Sequence, residues 1–230
     1  MSNVAIIIAR GGSKRIPRKN IKMFKGKPII AYSIETALSS GLFDYVMVST
    51  DDNEIANIAI KYGAEVPFIR SKKNADDFSG TADVILEVLN DFNNINKHFK
   101  NVCCIYPTAP FITIKTLSEA YDVLVKSKFD TVFPVCSFSY PIQRALELEN
   151  SKVTMICPEN INKRSQDLKP CYHDAGQFYW MNTQAFSIEK KMFTSNSGSI
   201  VLNELQVQDI DNETDWKLAE LKFTLLQSLA

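Results

Sequence analysis

An α/β fold, a mostly parallel sheet with helices on both faces, is the class this sequence predicts, and three observations predict it. Short continuous apolar runs alternate with longer stretches of helical period, the rhythm of a sheet covered on both sides. Gly41 and Gly63 close two of the helical stretches, where a helix C-terminus favours a residue free to take positive φ. The rhythm breaks once, over residues 137–175, a polar stretch carrying Pro141, Pro158 and Pro170 that reads as an inserted arm.

Taken in order, residues 4–8 (VAIII) predict a central strand. Pro28 suits a first helical turn, and Ile29, Ile30, Ile34, Ala37 and Leu38 then form an apolar stripe. Residues 45–49 predict a second strand, 51–62 a second helix and 65–69 a third strand. Thr81 is expected to cap a helix carrying Val84, Ile85, Val88, Leu89 and Phe92. A strand over 102–106, a helix over 113–127 and a strand over 131–135 follow. After the arm, 177–181 and 204–210 have strand character. Asn212 then caps a last helix, with Asp215 at the capping-box position and Trp216, Ala219, Phe223 and Leu226 inward.

The chain of 230 residues is 45% hydrophobic and 23% charged, suited to a single domain over 1–230 with the arm inserted. Its 26 Lys and Arg equal its 26 Asp and Glu, so no global field draws it to nucleic acid or an anionic membrane. Any anion site must be local. No apolar run is long enough to span a bilayer, and the opening MSNVAIIIARGG has too short an apolar core for a signal peptide. Five cysteines without Cys-x-x-Cys spacing read as reduced packing thiols, so the cytoplasm is the expected location.

Local positive charge is concentrated at residues 9–20, ARGGSKRIPRKN, directly after the first strand. Ligands of open α/β sheets bind at that end. Gly11 and Gly12 let the backbone curl so that N–H groups converge on an anion, and Arg10, Lys14, Arg15, Arg18 and Lys19 can neutralise a polyphosphate. Neither G-x-x-x-x-G-K-[ST] nor G-x-G-x-x-G is present. Near the other end, Asp209 and Asp211 stand at i and i+2 at the end of the predicted strand, a spacing that puts both on one side of the sheet, where hard oxygens can hold Mg²⁺ against phosphate. The Pro107-Thr108-Ala109-Pro110 turn offers the Thr108 hydroxyl at the crevice floor.

The stretch IIIARGGSKRIPRKNI resembles the N-terminal signature of the cytidylyltransferases that activate sialic acid and its relatives, and the matching motifs run over nearly the whole chain. The resemblance implies a Rossmann-like sheet of the nucleotide-diphospho-sugar transferase type, CTP as donor, dependence on Mg²⁺ (or Mn²⁺) and a homodimer. It implies that Arg10, Ser13, Lys19 and Asn20, with the amides of Gly11 and Gly12, contact the triphosphate and nucleotide. Arg70, Ser79 and Thr81, around a polar stretch that includes Asp76 and Asp77, would read the cytosine. Asp209 and Asp211 would hold the metal, the latter in an Ile-Asp-x-x-x-Asp-Trp context in which Asp215 is left to cap the helix. Arg10, Lys19 and Asp211 are thus the expected catalytic set.

The segment Tyr172-His173-Asp174-Ala175-Gly176-Gln177-Phe178-Tyr179-Trp180 resembles the pseudaminic acid branch of that family rather than the Asn-Gly-x-x-Tyr core usual in sialic acid enzymes. Gly176 allows close backbone approach, Gln177 and Tyr179 can bond acyl-amino or hydroxyl groups, and His173 is either a proton acceptor or a structural residue. In the family the arm pairs two subunits and lends cations to the neighbour's sugar site. Arg144, Lys163 and Arg164 are the candidates, since an acceptor carboxylate needs a guanidinium or ammonium. Competing readings are the same transfer to N-acetylneuraminate, legionaminate or a Kdo-like acid, a nucleotide-sugar-dependent glycosyltransferase with an Asp-x-Asp metal site, and a nucleotide sensor without catalysis.

Overall fold

A computed structural model describes residues 2–75 and 79–229, so Asp76 and Asp77 lie outside the described residues. In chain order the elements are β1 (Asn3–Ile8), a short β2 (Met23–Phe24) and β3 (Lys27–Pro28) pair, α1 (Ile29–Ser39), β4 (Tyr45–Ser49), α2 (Asn53–Lys61) and α3 (Thr81–Asn94). Then come β5 (Asn101–Ile105), α4 (Ile114–Ser127), β6 (Thr131–Ser137), β7 (Leu146–Glu149), β8 (Lys152–Met155) and β9 (Tyr172–Asp174). β10 (Phe178–Asn182), α5 (Thr183–Glu189), β11 (Ser197–Leu202) and α6 (Glu213–Leu229) complete the chain.

The main sheet has the order β11-β6-β10-β5-β1-β4. β4, β1 and β5 are mutually parallel, as are β11 and β6, and β10 lies antiparallel between β5 and β6. β9 and β10 both run along the same edge of β6, but in registers three residues apart: Val135 pairs with Asp174 and Val132 with Trp180. Residues 175–177 absorb the difference as a bulge, and Gly176 takes φ +63 there, a conformation suited to glycine.

Alternate residues of β1 face opposite cores. Ala5 and Ile7 pack with α1, α2 and α4, whereas Val4 and Ile6 pack with α3 and α5. Both faces are apolar, which explains the unbroken VAIII run. α6 crosses one end of the sheet, where Trp216 and Ala219 close a smaller cluster with Ile16, Phe24, Ile29 and Phe111, and Phe223 and Leu226 pack at its margin. Asn212 Oδ1 accepts from the amides of Thr214 and Asp215 at the start of α6, as predicted.

Several expectations are corrected. Residues 65–69 form only isolated parallel bridges at Glu65 and Ile69, because Pro67 lacks an amide for the ladder between them. Leu38 is exposed although it extends the α1 stripe. Gly80, not Thr81, occupies the cap position of α3. Residues 204–210 are a 3₁₀ turn followed by irregular chain, and the strand lies earlier, at β11. The arm contains the β7–β8 hairpin and three 3₁₀ turns. The cysteines are all free, with Cys103, Cys104 and Cys136 buried; burial pushes the Cys103 and Cys104 thiols up, as befits packing residues.

Candidate active site

The loop after β1 is held in shape by its own side chains and by the N-terminus of α2. Asn20 donates from Nδ2 to the Arg10 carbonyl at 2.9 Å, closing the loop across its base. Arg18, in left-handed conformation (φ 56), forks onto Asp52 at 2.6 and 2.9 Å and onto Glu54 at 2.5 Å. Asp52 is also the α2 cap, accepting from the amides of Glu54 and Ile55. The Arg18 hydrogen bond, against the opposing effect of burial, holds its carboxyl at about 2. Arg18 is therefore a brace and not one of the phosphate-facing cations expected from the loop. The Gly11 amide is likewise engaged, donating to Asp51 at 2.9 Å, and the Ser13 amide bonds the Gly11 carbonyl at 3.1 Å. Neither Gly11 nor Gly12 is among the residues lining the cavity, and the Gly11 amide is turned to Asp51. The glycines serve geometry: a Cβ on Gly11 would stand 2.8 Å from Asp52 Oδ2.

The other predicted nucleotide residues do converge. A cavity of about 470 Å³ at the carboxyl ends of β1 and β5 is lined by Arg10, Ser13, Lys19, Asn20, Arg70, Ser79, Thr81 and Thr108, and also by Asp209 and Asp211. Lys14 and Arg15 join the cationic side. Arg70 is buried, donating to Ser49 Oγ at 3.0 Å and to the Ser49 carbonyl at 2.5 Å. Burial lowers its pKa, opposed by Asp51 and Glu87. Thr81 Oγ1 stands 3.4 Å from the Tyr106 hydroxyl.

Asp209 and Asp211 are not strand neighbours. They sit in irregular chain before α6, fixed from behind. The Asp211 amide donates to Asp215 Oδ2 at 2.9 Å and the Asn212 amide to the same oxygen at 3.0 Å. Asp215 is thus a capping residue. The Asp211 carboxylate meets Arg15 at 2.7 Å and Lys19 at 4.0 Å, and Lys19 Nζ also donates to the Ile210 carbonyl at 2.6 Å. Burial lowers the Lys19 pKa, while Asp211 and Asp209 pull it back up. No group of three or more His, Cys, Asp and Glu converges among the described residues. Two carboxylates beside a cation-lined cavity suit Mg²⁺, which takes one or two protein carboxylates and completes its shell with phosphate oxygens and water.

A second cavity, of about 550 Å³, adjoins the first, and Tyr106 and Asp209 line both. His173, Gly176 and Tyr179 of the predicted acceptor set line it. Gln177 does not: it is buried, and its Nε2 donates to the Gln206 carbonyl at 2.5 Å, tying β10 to the segment before α6. Arg144 and Arg164 do not reach this cavity within their own chain. Arg164 forks onto Asp167 at 2.8 and 3.0 Å, and Arg144 lies on the arm beside Tyr140 and Val153. The His173 Nδ1 lies 2.9 Å from the Asp174 carbonyl, which can only accept, so Nδ1 carries a proton.

Three lining residues went unremarked in the sequence. Tyr106 and Tyr179 pack at 5.4 Å, and the Tyr179 hydroxyl donates to Asp174. Asp174 is held as well by the Gly176 amide at 3.0 Å. Lys222 enters from α6. Tyr106 falls on a predicted strand and reads as a packing residue, Asp174 stands in the motif without a role of its own, and the position of Lys222 depends on how α6 crosses the sheet.

Fold and site together, a sheet-end cavity lined by cations and two aspartates beside a second, polar cavity, describe a nucleotidyltransferase. Residues 4–226 match the cytidylyltransferase family, and the chain belongs to it. It is 44% identical over 224 residues, 97% of each chain, to the pseudaminic acid cytidylyltransferase of Campylobacter jejuni. It is 32% identical over 234 residues, 99% of this chain and 98% of the other, to the CMP-N,N'-diacetyllegionaminic acid synthase of Legionella pneumophila. Among solved structures, CMP:2-keto-3-deoxy-manno-octonic acid synthetase complexed with CTP superposes with a TM-score of 0.70 over 99% of this chain and 100% of that one. At 15% identity, that likeness is one of fold.

Proposed function

We propose that this cytidylyltransferase transfers CMP from CTP to the anomeric hydroxyl of pseudaminic acid and releases pyrophosphate. The observation that carries the reading is the pair of adjoining cavities, one cationic and one polar, meeting at Tyr106 and Asp209. The choice of acceptor is supported by the likeness to the Campylobacter enzyme and by the His173–Trp180 segment.

In this reading the triphosphate lies along Arg10, Lys14, Arg15 and Lys19, and the base lies toward Arg70, Ser79 and Thr81. The sugar hydroxyl attacks the α-phosphorus, the bond to the β-phosphate oxygen breaks, and the hydroxyl proton leaves to solvent or to a basic group such as His173 Nε2. Phosphoryl transfers of this kind depend on positioning and charge neutralisation rather than on an enzyme nucleophile. Mg²⁺ held by Asp209 and Asp211 would withdraw charge from the phosphate oxygens. Arg15 pairs with Asp211 here, and it would be free to meet the phosphates if that carboxylate held the metal. The arm is read as the surface that pairs two subunits.

The test is pyrophosphate release with CTP, UTP and ATP against a panel of nine-carbon acids, with specificity constants compared under one Mg²⁺ condition. CTP should be preferred to UTP and ATP. Pseudaminic acid should exceed N-acetylneuraminate by tenfold or more, since each buried polar group left unpaired costs about 1–3 kcal/mol. A preference for N-acetylneuraminate overturns the acceptor assignment, and equal use of UTP overturns the cytosine-reading role.

A further inference from the structure

We propose that Lys222 is the anchor for the acceptor's carboxylate, an inference that rests on the acceptor reading of the second cavity. Lys222 is the only lysine or arginine among the residues that line it. Its ammonium donates to the Val207 carbonyl at 2.7 Å and to the Glu204 carbonyl at 3.1 Å. An ammonium has three N–H donors, so the two carbonyls aim it and leave one for a ligand. It forms no ion pair among the described residues.

Three carboxylates on the same wall repel an anion. Asp174, Glu204 and Asp209 all line the cavity. Asp174 is occupied by the Tyr179 hydroxyl and the Gly176 amide, and Glu204 accepts from Ser139 at 3.0 Å. Among this chain's own charged side chains on the wall, a carboxylate is drawn to Lys222. That place is also useful, because in a cyclised α-keto acid the carboxylate and the reacting hydroxyl share one carbon. Lys222 bonds the carbonyl of Val207, two residues before Asp209, which borders both cavities. Holding the carboxylate there sets the hydroxyl at the boundary, facing the nucleotide side.

The experiment titrates the acceptor and its C1 amide into enzyme loaded with a non-hydrolysable CTP analogue and Mg²⁺. Wild type, Lys222→Gln and Lys222→Met are compared, and the Gln variant keeps a donor for the two carbonyls, which guards the fold. Wild type should bind the acid tightly over the amide, by about tenfold to a hundredfold, and both variants should lose most of that preference while nucleotide affinity changes less than about threefold. A variant that retains the wild-type acid-to-amide ratio overturns the anchor, as does loss of nucleotide affinity with the ratio unchanged, which makes Lys222 a brace for the segment before α6. Every nine-carbon α-keto acid carries this carboxylate, so N-acetylneuraminate serves as a second probe. Failure of pseudaminic acid as a substrate would then be seen separately from failure of the anchor.

Discussion

A methyl group at position 11 would stand 2.8 Å from Asp52 Oδ2, an atom that cannot retreat because Arg18 binds it at 2.6 Å. Gly11→Ala should therefore shift the loop, cost about 1–3 kcal/mol of stability and raise the KM for CTP severalfold. Thermal unfolding and initial rates check this, and an unchanged KM would mean that the loop shape is immaterial to nucleotide binding. The Asp52 carboxyl also has a pH signature. Held at about 2, below its ordinary value near 3.9, it contributes stability that is fully present above pH ~5 and is lost as pH falls through 4 toward 2. Asp52→Asn should flatten the fall of the urea midpoint over that range, and an undiminished fall would place the acid sensitivity elsewhere. At this scale the sequence was informative about which residues meet and less so about what each does. Arg10, Lys19, Arg70 and Thr81 share the expected cavity. The role of Arg18 was hidden because its partner lies 34 positions away, and that of Gln177 because its amide turns to a carbonyl 29 positions on.

Among the elements, the segment before α6 shows why a correct pairing can come with a wrong local structure. Leu205 and Val207 alternating with Gln206 and Gln208 imitate a strand, yet the chain there is irregular, and the true edge strand β11 begins Ser-Gly-Ser and has weak strand character. Gly198 has a packing reason: a Cβ there would meet the Phe129 ring at 2.3 Å. What places Asp211 is instead the start of α6, through Asp215. Asp215→Ala should cost about 1 kcal/mol as a lost cap and should lower kcat more than tenfold, because the Asp211 backbone loses its tether. Asp215→Asn, which keeps an acceptor oxygen, should recover most of both losses. A variant with the stability loss and an unaltered kcat would show that Asp211 is positioned by other contacts.

For the whole molecule, the arm is the part least explained by a single chain. Leu146 pairs with Met155 and Leu148 with Val153, so these four side chains share one face of a two-stranded hairpin. Leu148 is 72% exposed and Leu146 63%, and Tyr140 nearby is 86% exposed. An isolated hairpin is marginal in water, and a contiguous apolar face marks a contact surface. If two arms pair, wild type should sediment at twice 26.0 kDa, and Leu148→Lys with Val153→Lys should give the monomer. The nucleotide cavity is built from one chain's loop, β5 and the segment before α6, so CTP binding by calorimetry should survive in that monomer. If the arms pair, the acceptor side should not survive equally, because Arg144, Lys163 and Arg164, which stay outside their own chain's second cavity, would then serve the neighbour's. Turnover at fixed acceptor should then fall tenfold or more with nucleotide affinity intact. A wild type that sediments as a monomer, or a monomeric variant with full acceptor turnover, would remove the arm from the site.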